Sequence, residues 1–385
     1  MRRYSLLLCL ALLILIGLSL IACERPNPNA ARIKDLFFSQ SDYPVGANPT
    51  TVNAADLNQD GILDLITTNV GDDTLSVLLG KGDGSFGTAT KIRVGSQPRT
   101  LALGDFNEDG KLDLAVNHIG DNADVMILLG QGDGDFKEGD HYPTEYAPLS
   151  VAAADLNHDH HLDLIVAVRT DKILVYLGQG NGKFVKKAVF DPGDTPTSVK
   201  VWDFNRDGQL DLAIANNGTV GNNMSIFFGK GDGTFRLGKI YETKLRPLSL
   251  TLGDFNDDKV EDIVVVNGIR NTLTLFLGNP DGTFRDGIPF GAEGGPLAAA
   301  AGDFDGDHLL DLAVTNDLSN NLSVLLGKGD GTFLQPPIDY RSGEGPFAAT
   351  AADFTHSGKP GLAVANNGSS TVSVYLPSVR RTTTP

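Results

Sequence analysis

Asp105-Phe106-Asn107-Glu108-Asp109-Gly110-Lys111-Leu112-Asp113, followed by Leu114-Ala115-Val116, is one copy of a pattern that recurs about every fifty residues. Its general form is Asp-x-Asn-x-Asp-Gly-x-x-Asp. Copies open at Asp56, Asp105, Asp155, Asp203, Asp254 and Asp303, and a decayed copy opens at Asp353. A fixed period of that length marks a repeat architecture. Three carboxylates and an Asn within nine residues repel one another strongly unless a cation sits among them.

Working outward from this copy, each unit contains four strand-like runs. In the second unit these are residues 100–105, 113–117, 125–129 and a more polar run from Phe136 through Tyr142, reached by a Gly-rich turn at 130–134. The runs are rich in Val, Ile, Leu and Thr, lie between turn residues and are too short for helices. Four-stranded units repeated radially give a β-propeller, because closing a ring leaves only short protected edges. The fold class is therefore all-β. The first runs end on small residues (Ala54-Ala55, Leu103-Gly104, Ala153-Ala154, Leu252-Gly253, Ala301-Gly302, Ala351-Ala352), which suits a crowded strand beside the axis. Lys200-Val201-Trp202 departs from this, and Trp202 is expected to fill a gap.

The ends set the count. The seventh unit stops after its third run, at 372–376, with no turn and no fourth strand. Residues 37–45, FFSQSDYPV, match the stretch that precedes every later acidic loop. This N-terminal strand is expected to complete the last blade, giving seven four-stranded blades over 37–377.

The acidic loops read as Ca²⁺ sites, since Ca²⁺ takes six to eight oxygens in flexible geometry. In the first, Asp56, Asn58 and Asp60 alternate, Gly61 permits the turn, the Ile62 carbonyl offers an oxygen and Asp64 closes the site. The same logic gives Asp105, Asn107, Asp109, Lys111 and Asp113, and then Asp203, Asn205, Asp207, Gln209 and Asp211. Three loops replace the turn Gly with His160, Lys259 or His308: Asp155, Asn157, Asp159, His161, Asp163; Asp254, Asn256, Asp258, Val260, Asp262; and Asp303, Asp305, Asp307, Leu309, Asp311. If that position needs positive φ, Lys tolerates it less well than His, so the Asp254 loop is expected to bind more weakly. The Asp353 loop carries Thr355, Ser357 and Gly361 and is expected to hold no tight site. Mg²⁺, which demands stricter octahedral geometry, fits worse; Asx turns without metal are the bland alternative. Up to six Ca²⁺ follow.

The runs GDFNEDGKLDLAV, WDFNRDGQLDLAI and LLGKGDGTF resemble FG-GAP or VCBS-type repeats, the units of integrin-α-like seven-bladed propellers. The resemblance covers about Phe37 to Leu376. It implies a Ca²⁺-braced propeller with metal loops joining the first two strands of each blade, and it leaves the ligand open, because fold does not give function.

The Asp-Gly turns at Asp83, Asp133, Asp232, Asp281 and Asp330, with Asn181 in the third unit, read as hairpin turns. The Phe that follows each (Phe86, Phe136, Phe184, Phe235, Phe284, Phe333) reads as core between blades.

Residues 1–22 read as a secretory signal, with Arg2 and Arg3 before an apolar run too short to span a membrane. Leu20-Ile21-Ala22-Cys23 resembles a bacterial lipobox, which implies a lipid anchor at Cys23; Glu24 after it implies outer-membrane sorting in a diderm source. Residues 23–36 read as a tether and 378–385 as a flexible tail. Cys9 leaves with the signal, so the exported domain has no disulfide and relies on its core and bound ions. Losing the two leader arginines takes the net charge from −17 to −19. That surface disfavours nucleic acid. Nineteen Asp fall on the six intact motifs, and six Ca²⁺ would offset about twelve of those charges.

No catalytic set emerges. His158, His160 and His161 cluster in one loop, no nucleophile lies in a recognisable elbow, and nothing selects a carboxylate pair for glycoside chemistry. Loops on the face opposite the acidic ones are Asn-rich, with Arg99, Asn117, Tyr146, Asn216, Arg246, Arg270, Asn316 and Asn366 as candidate ligand contacts. The reading is a non-catalytic surface module binding a glycan or protein; a polysaccharide lyase or hydrolase, or a structural spacer in an envelope complex, are the alternatives.

Overall fold

The computed structural model describes residues 36–378, apart from 121–122, 219–221, 244–245 and 269–270. The leader, Cys23, the tether over 23–35 and the tail from 379 onward lie outside the described residues.

From Phe37 onward the chain forms seven sheets, each of four antiparallel strands. Blade 2 is Pro98–Gly104, Asp113–His118, Asp124–Gly130 and Phe136–Pro143. Blade 7 supplies Pro346–Ala352, Gly361–Asn366 and Thr371–Pro377, and its outer strand is Phe37–Pro44 from the other end of the chain. The register runs from Phe37 opposite Pro377 to Pro44 opposite Thr371. Ring closure by the N-terminal strand is thus as expected. The first strands of blades 2 to 7 contact one another in series and line the axis.

The second strand of every blade is wholly buried, which suits the Leu, Ile, Val and Ala that fill most of these runs. Apolar clusters span neighbouring blades: Phe106, Val125 and Ile127 of blade 2 pack with Leu164, Val166 and Phe184 of blade 3. Each such side chain contributes about 1.5–3 kcal/mol on burial. The Phe after the turn serves as expected. Phe184 meets Phe106 edge-on at 5.4 Å, and Phe284 meets Phe204, and Phe86 Phe354, at 5.6 Å. Each ring therefore pins an acidic loop of one blade to the next blade.

Trp202 fills no gap; it is 47% exposed. Its counterparts Gly104 and Gly253 are small because a Cβ would lie 2.5 Å from Leu162 and 2.7 Å from Leu310 of the next blade. Blade 5 has Glu261 in place of that Leu, so the indole has room beside a cavity of about 240 Å³ lined also by Arg206 and Lys259.

Candidate metal loops and the opposite face

Each acidic loop is built by its first Asp. Asp56 accepts the N–H groups of Asp60 (3.2 Å) and Gly61 (2.9 Å), Asn58 Oδ1 accepts that of Asp60 (3.1 Å), and Asp60 Oδ1 accepts that of Ile62 (2.8 Å). The bonds recur at Asp105, Asp203 and Asp254. These Asx turns fix the side-chain oxygens and leave further lone pairs for another partner.

The sixth loop position does need positive φ. Gly61, Gly110 and Gly208 lie at 82–84°, and His160, Lys259 and His308 are held at 73°, 66° and 71°. The fourth position is left-handed too, through Gln59, Glu108, His158, Arg206 and Asp257, with Gly306 in the sixth loop. Nothing in the residue types signals this, and each non-Gly residue there costs about 1–2 kcal/mol.

The ninth-position Asp does more than close the loop. Asp64 is fully buried; its Oδ2 accepts Leu57 N–H at 2.9 Å and its Oδ1 accepts Gly80 N–H at 2.8 Å. Gly80 lies two residues beyond the third strand, Thr74–Leu78, so this carboxylate clamps the loop to the end of the sheet. Asp113, Asp163, Asp211, Asp262 and Asp311 repeat the clamp on Gly130, Gly178, Gly229, Gly278 and Gly327. Burial pushes these carboxyls up against the opposing backbone bonds, to about 6 for Asp163 and Asp211 and about 7 for Asp262 and Asp311.

In the sixth loop, Asp303, Asp305 and Asp311 bring carboxylate oxygens within 4.8 Å of one another. Burial first, then the charges of Asp307 and Asp303, raises Asp305. That like-charge pressure is what a divalent cation relieves. The other five loops carry Asn at the third position, so the amide takes part of the role. There, Asn58, Asn157, Asn205 and Asn256 each donate to the following Asp at 2.9–3.0 Å. The seventh-position residues give their N–H to the fifth Asp, as Lys111 and Gln209 do. Lys111 Nζ also lies 3.5 Å from Asp109. The donor set is all hard oxygen in a curled loop, and it fits Ca²⁺.

The His cluster of the third loop disperses. His158 bonds Gln209 of blade 4 at 2.9 Å, and His161 bonds Glu108 of blade 2. With Gln59 donating to Gly110 O at 2.7 Å, these contacts link consecutive loops. Sequence spacing missed one cluster: Asp124 lies 2.7 Å from both His118 and His141. The Asp-Gly turns bond internally, as Asp83 does to Ser85.

The opposite face requires a correction. Asn117, Asn216, Asn316 and Asn366 are fully buried. Each lies at or next to the end of a second strand and spends its amide inside the protein: Asn117 on Pro148 O, Asn216 on Ser225, Asn316 on Ser323, Asn366 on Ser373. Asn117 reaches the next blade, the other three tie the second strand of their own blade to its third, and none offers its amide to a ligand. Arg246 bonds Asn217, Tyr146 is 55% exposed, and Arg270 lies outside the described residues. Arg99 lines a cavity on the axis.

The FG-GAP-like repeat pattern matches residues 56–116, 118–166, 162–214, 203–265, 254–314 and 304–364. No curated protein sequence matches the chain. Among solved structures, BBS1N in complex with ARL6DN is similar at a TM-score of 0.64 and 14% identity, covering 91% of this chain and 99% of that one. An Agrocybe aegerita lectin that recognises non-reducing terminal N-acetylglucosamine is similar at a TM-score of 0.53 and 16% identity, covering 84% of this chain and 86% of that one. At these identities the likeness is one of fold.

Proposed function

Because the chain belongs to the FG-GAP-like repeat family, we propose that it is an exported, calcium-braced binding module that takes an extracellular glycan or protein without catalysis. The observation that carries the calcium part is the convergence of Asp303, Asp305 and Asp311. Calcium would be held by the first, third, fifth and ninth side chains of six loops and would neutralise carboxylates that otherwise repel. Its role is bracing: loops two, four, five and six are already tied to the next blade by Phe pairs, loops one and three by Leu57 and Leu156 packed in apolar clusters with Phe136 and Phe235, and all six to the end of the third strand by the ninth Asp. Propellers of similar fold bind a protein, as BBS1N does, or a sugar, as the lectin does, which supports a partner of either kind. Lipidation at Cys23 would hold the module at the outer membrane or cell surface.

A glycan-array screen in Ca²⁺ and in EDTA tests the reading. Selective binding lost in EDTA supports a calcium-braced lectin-like module. Blank arrays in both conditions remove the glycan half, and a pull-down from envelope extract then tests the protein half. Turnover of a polysaccharide with Ca²⁺ present would overturn the non-catalytic assignment.

A further inference from the structure

The axis opens on the face opposite the acidic loops as a cavity of about 310 Å³ walled by the first strands of blades 2 to 7 and by Thr50 and Thr51 before the first strand of blade 1, within the range of small-molecule pockets. Its wall is graded. Arg99 lies with Leu149, Leu248, Leu297 and Phe347 at the residue after the strand-opening Pro. One residue further in, Thr51, Thr100, Ser150, Ser198 and Ser249 make a hydroxyl collar from five blades. Lys200 lies two residues further along its strand than Ser198.

Two cations in this wall have no counter-charge. Among the described residues no carboxylate pairs with Arg99 or Lys200, in a chain of net charge −17. The surrounding protein holds the Lys200 ammonium below its usual range, though solvent reaches it through the opening. The Arg99 guanidinium is lowered by burial and then by the Arg169 charge. The ring does not need either residue. Where Lys200 stands, other blades carry Asn53, Ala102, Ala152, Thr251, Ala300 and Thr350; where Arg99 stands, they carry Thr or Leu, or Phe347. Arg99 is a half-buried cation without a partner, which is costly, and Lys200 stands unpaired in the same wall, open to the solvent of the cavity, so the two together mark a place made for an anion. The collar agrees. Thr100 Oγ1 and Ser249 Oγ are buried without a partner. Ser150 and Ser198 accept backbone N–H groups from the next blade, leaving their hydroxyl hydrogens to give.

We propose that the axial cavity binds a small oxyanion, its charged group taken by Arg99 and Lys200 and its other oxygens by the hydroxyl collar. The inference stands apart from the calcium reading. Titration calorimetry of the purified protein with glucuronate, inorganic phosphate and glucose tests it. Glucuronate or phosphate should bind and uncharged glucose should not, in EDTA as well as in Ca²⁺. Lys200→Ala and Arg99→Leu install residues other blades already carry, so the melting curve should hold while each weakens anion binding roughly tenfold or more. Glucuronate alone identifies a carboxylate-bearing ligand; phosphate alone identifies a free oxyanion; both outcomes support the site. No heat from either anion, or affinity unchanged in both variants, overturns it.

Discussion

The sixth and seventh acidic loops share one turn and differ in nearly everything else. Asp303 accepts N–H groups from Asp307 (3.1 Å) and His308 (2.9 Å); Asp353 accepts them from Ser357 (3.1 Å) and Gly358 (2.6 Å). The turn therefore needs only its first Asp. Loop six adds Asp305, Asp307 and Asp311 where loop seven has Thr355, Ser357 and Gly361. Asp311 accepts Phe304 N–H and Gly327 N–H, both at 2.8 Å. In blade 7 the strand residue matching Gly327 is Pro377, which has no N–H to give. Two losses are thus matched: the carboxylate went where its donor went. The further carboxylates serve a clamp and a cation, and neither is required for the turn.

The largest effect should come from the clamp. Asp311→Ala leaves two buried N–H groups without an acceptor, at about 1–3 kcal/mol each. Urea unfolding should register a loss of about 2–5 kcal/mol. The reverse change, Gly361→Asp, finds no donor at Pro377 and puts a Cβ 2.7 Å from Tyr375 O. It should cost about 1–3 kcal/mol; a stabilised variant would break the matched-loss account.

Next comes the cation. Equilibrium dialysis should find six Ca²⁺ per chain, falling by one in Asp303→Ala and unchanged in Asp353→Ala. EDTA should lower the melting temperature, since a site at hundredfold excess over its Kd contributes about 2.7 kcal/mol. A stoichiometry of seven would mean that Thr355 and Ser357 replace carboxylates adequately.

The clamp also sets a pH dependence. Asp311 rises from 3.8 to about 7 on folding because it is buried. Between those values the folded state holds a proton that the unfolded state lacks, so this group favours folding most below about 4 and the benefit fades as pH rises through 7. In EDTA the melting temperature should fall from pH 5 to pH 8, more shallowly in Asp311→Asn, and Ca²⁺ should offset the fall at the upper end. Gly361 contributes no such slope.

Much of this contrast is legible in the chain. The period, the small residues before each loop and the fourth-strand stretch at 37–45 give the ring and its closure, because strand content and turn residues are local. The decay of loop seven is equally local. What is hidden depends on partners fixed by strand pairing. Asp311 reads as a cation ligand, yet its donor Gly327 is 16 residues away and is placed only by the third strand. Asn316 and Asn366 read as polar face, yet strand ends bury them against Ser323 and Ser373. Arg99 and Lys200 lie 101 residues apart in sequence and share a cavity wall only because both first strands line one axis.

The smallest test concerns the shared turn. His308 sits at φ 71° and Gly358 at φ 79° in the same position. An L-residue in that region pays about 1–2 kcal/mol, less for His than for most, and Gly has its own entropic cost on folding. The difference should be modest: His308→Gly should raise stability by about 0.5–1 kcal/mol and Gly358→His should lower it by a similar amount. His308 Nδ1 lies 3.7 Å from Asp303, an exposed pair whose loss adds little. Calorimetry on both variants decides. If the swaps are equal and opposite, the two loops share a backbone that tolerates either residue, and calcium binding at loop six should be untouched. If His308→Gly also weakens calcium binding, the imidazole helps place Asp303, and the loops differ in their turn as well as in their charges.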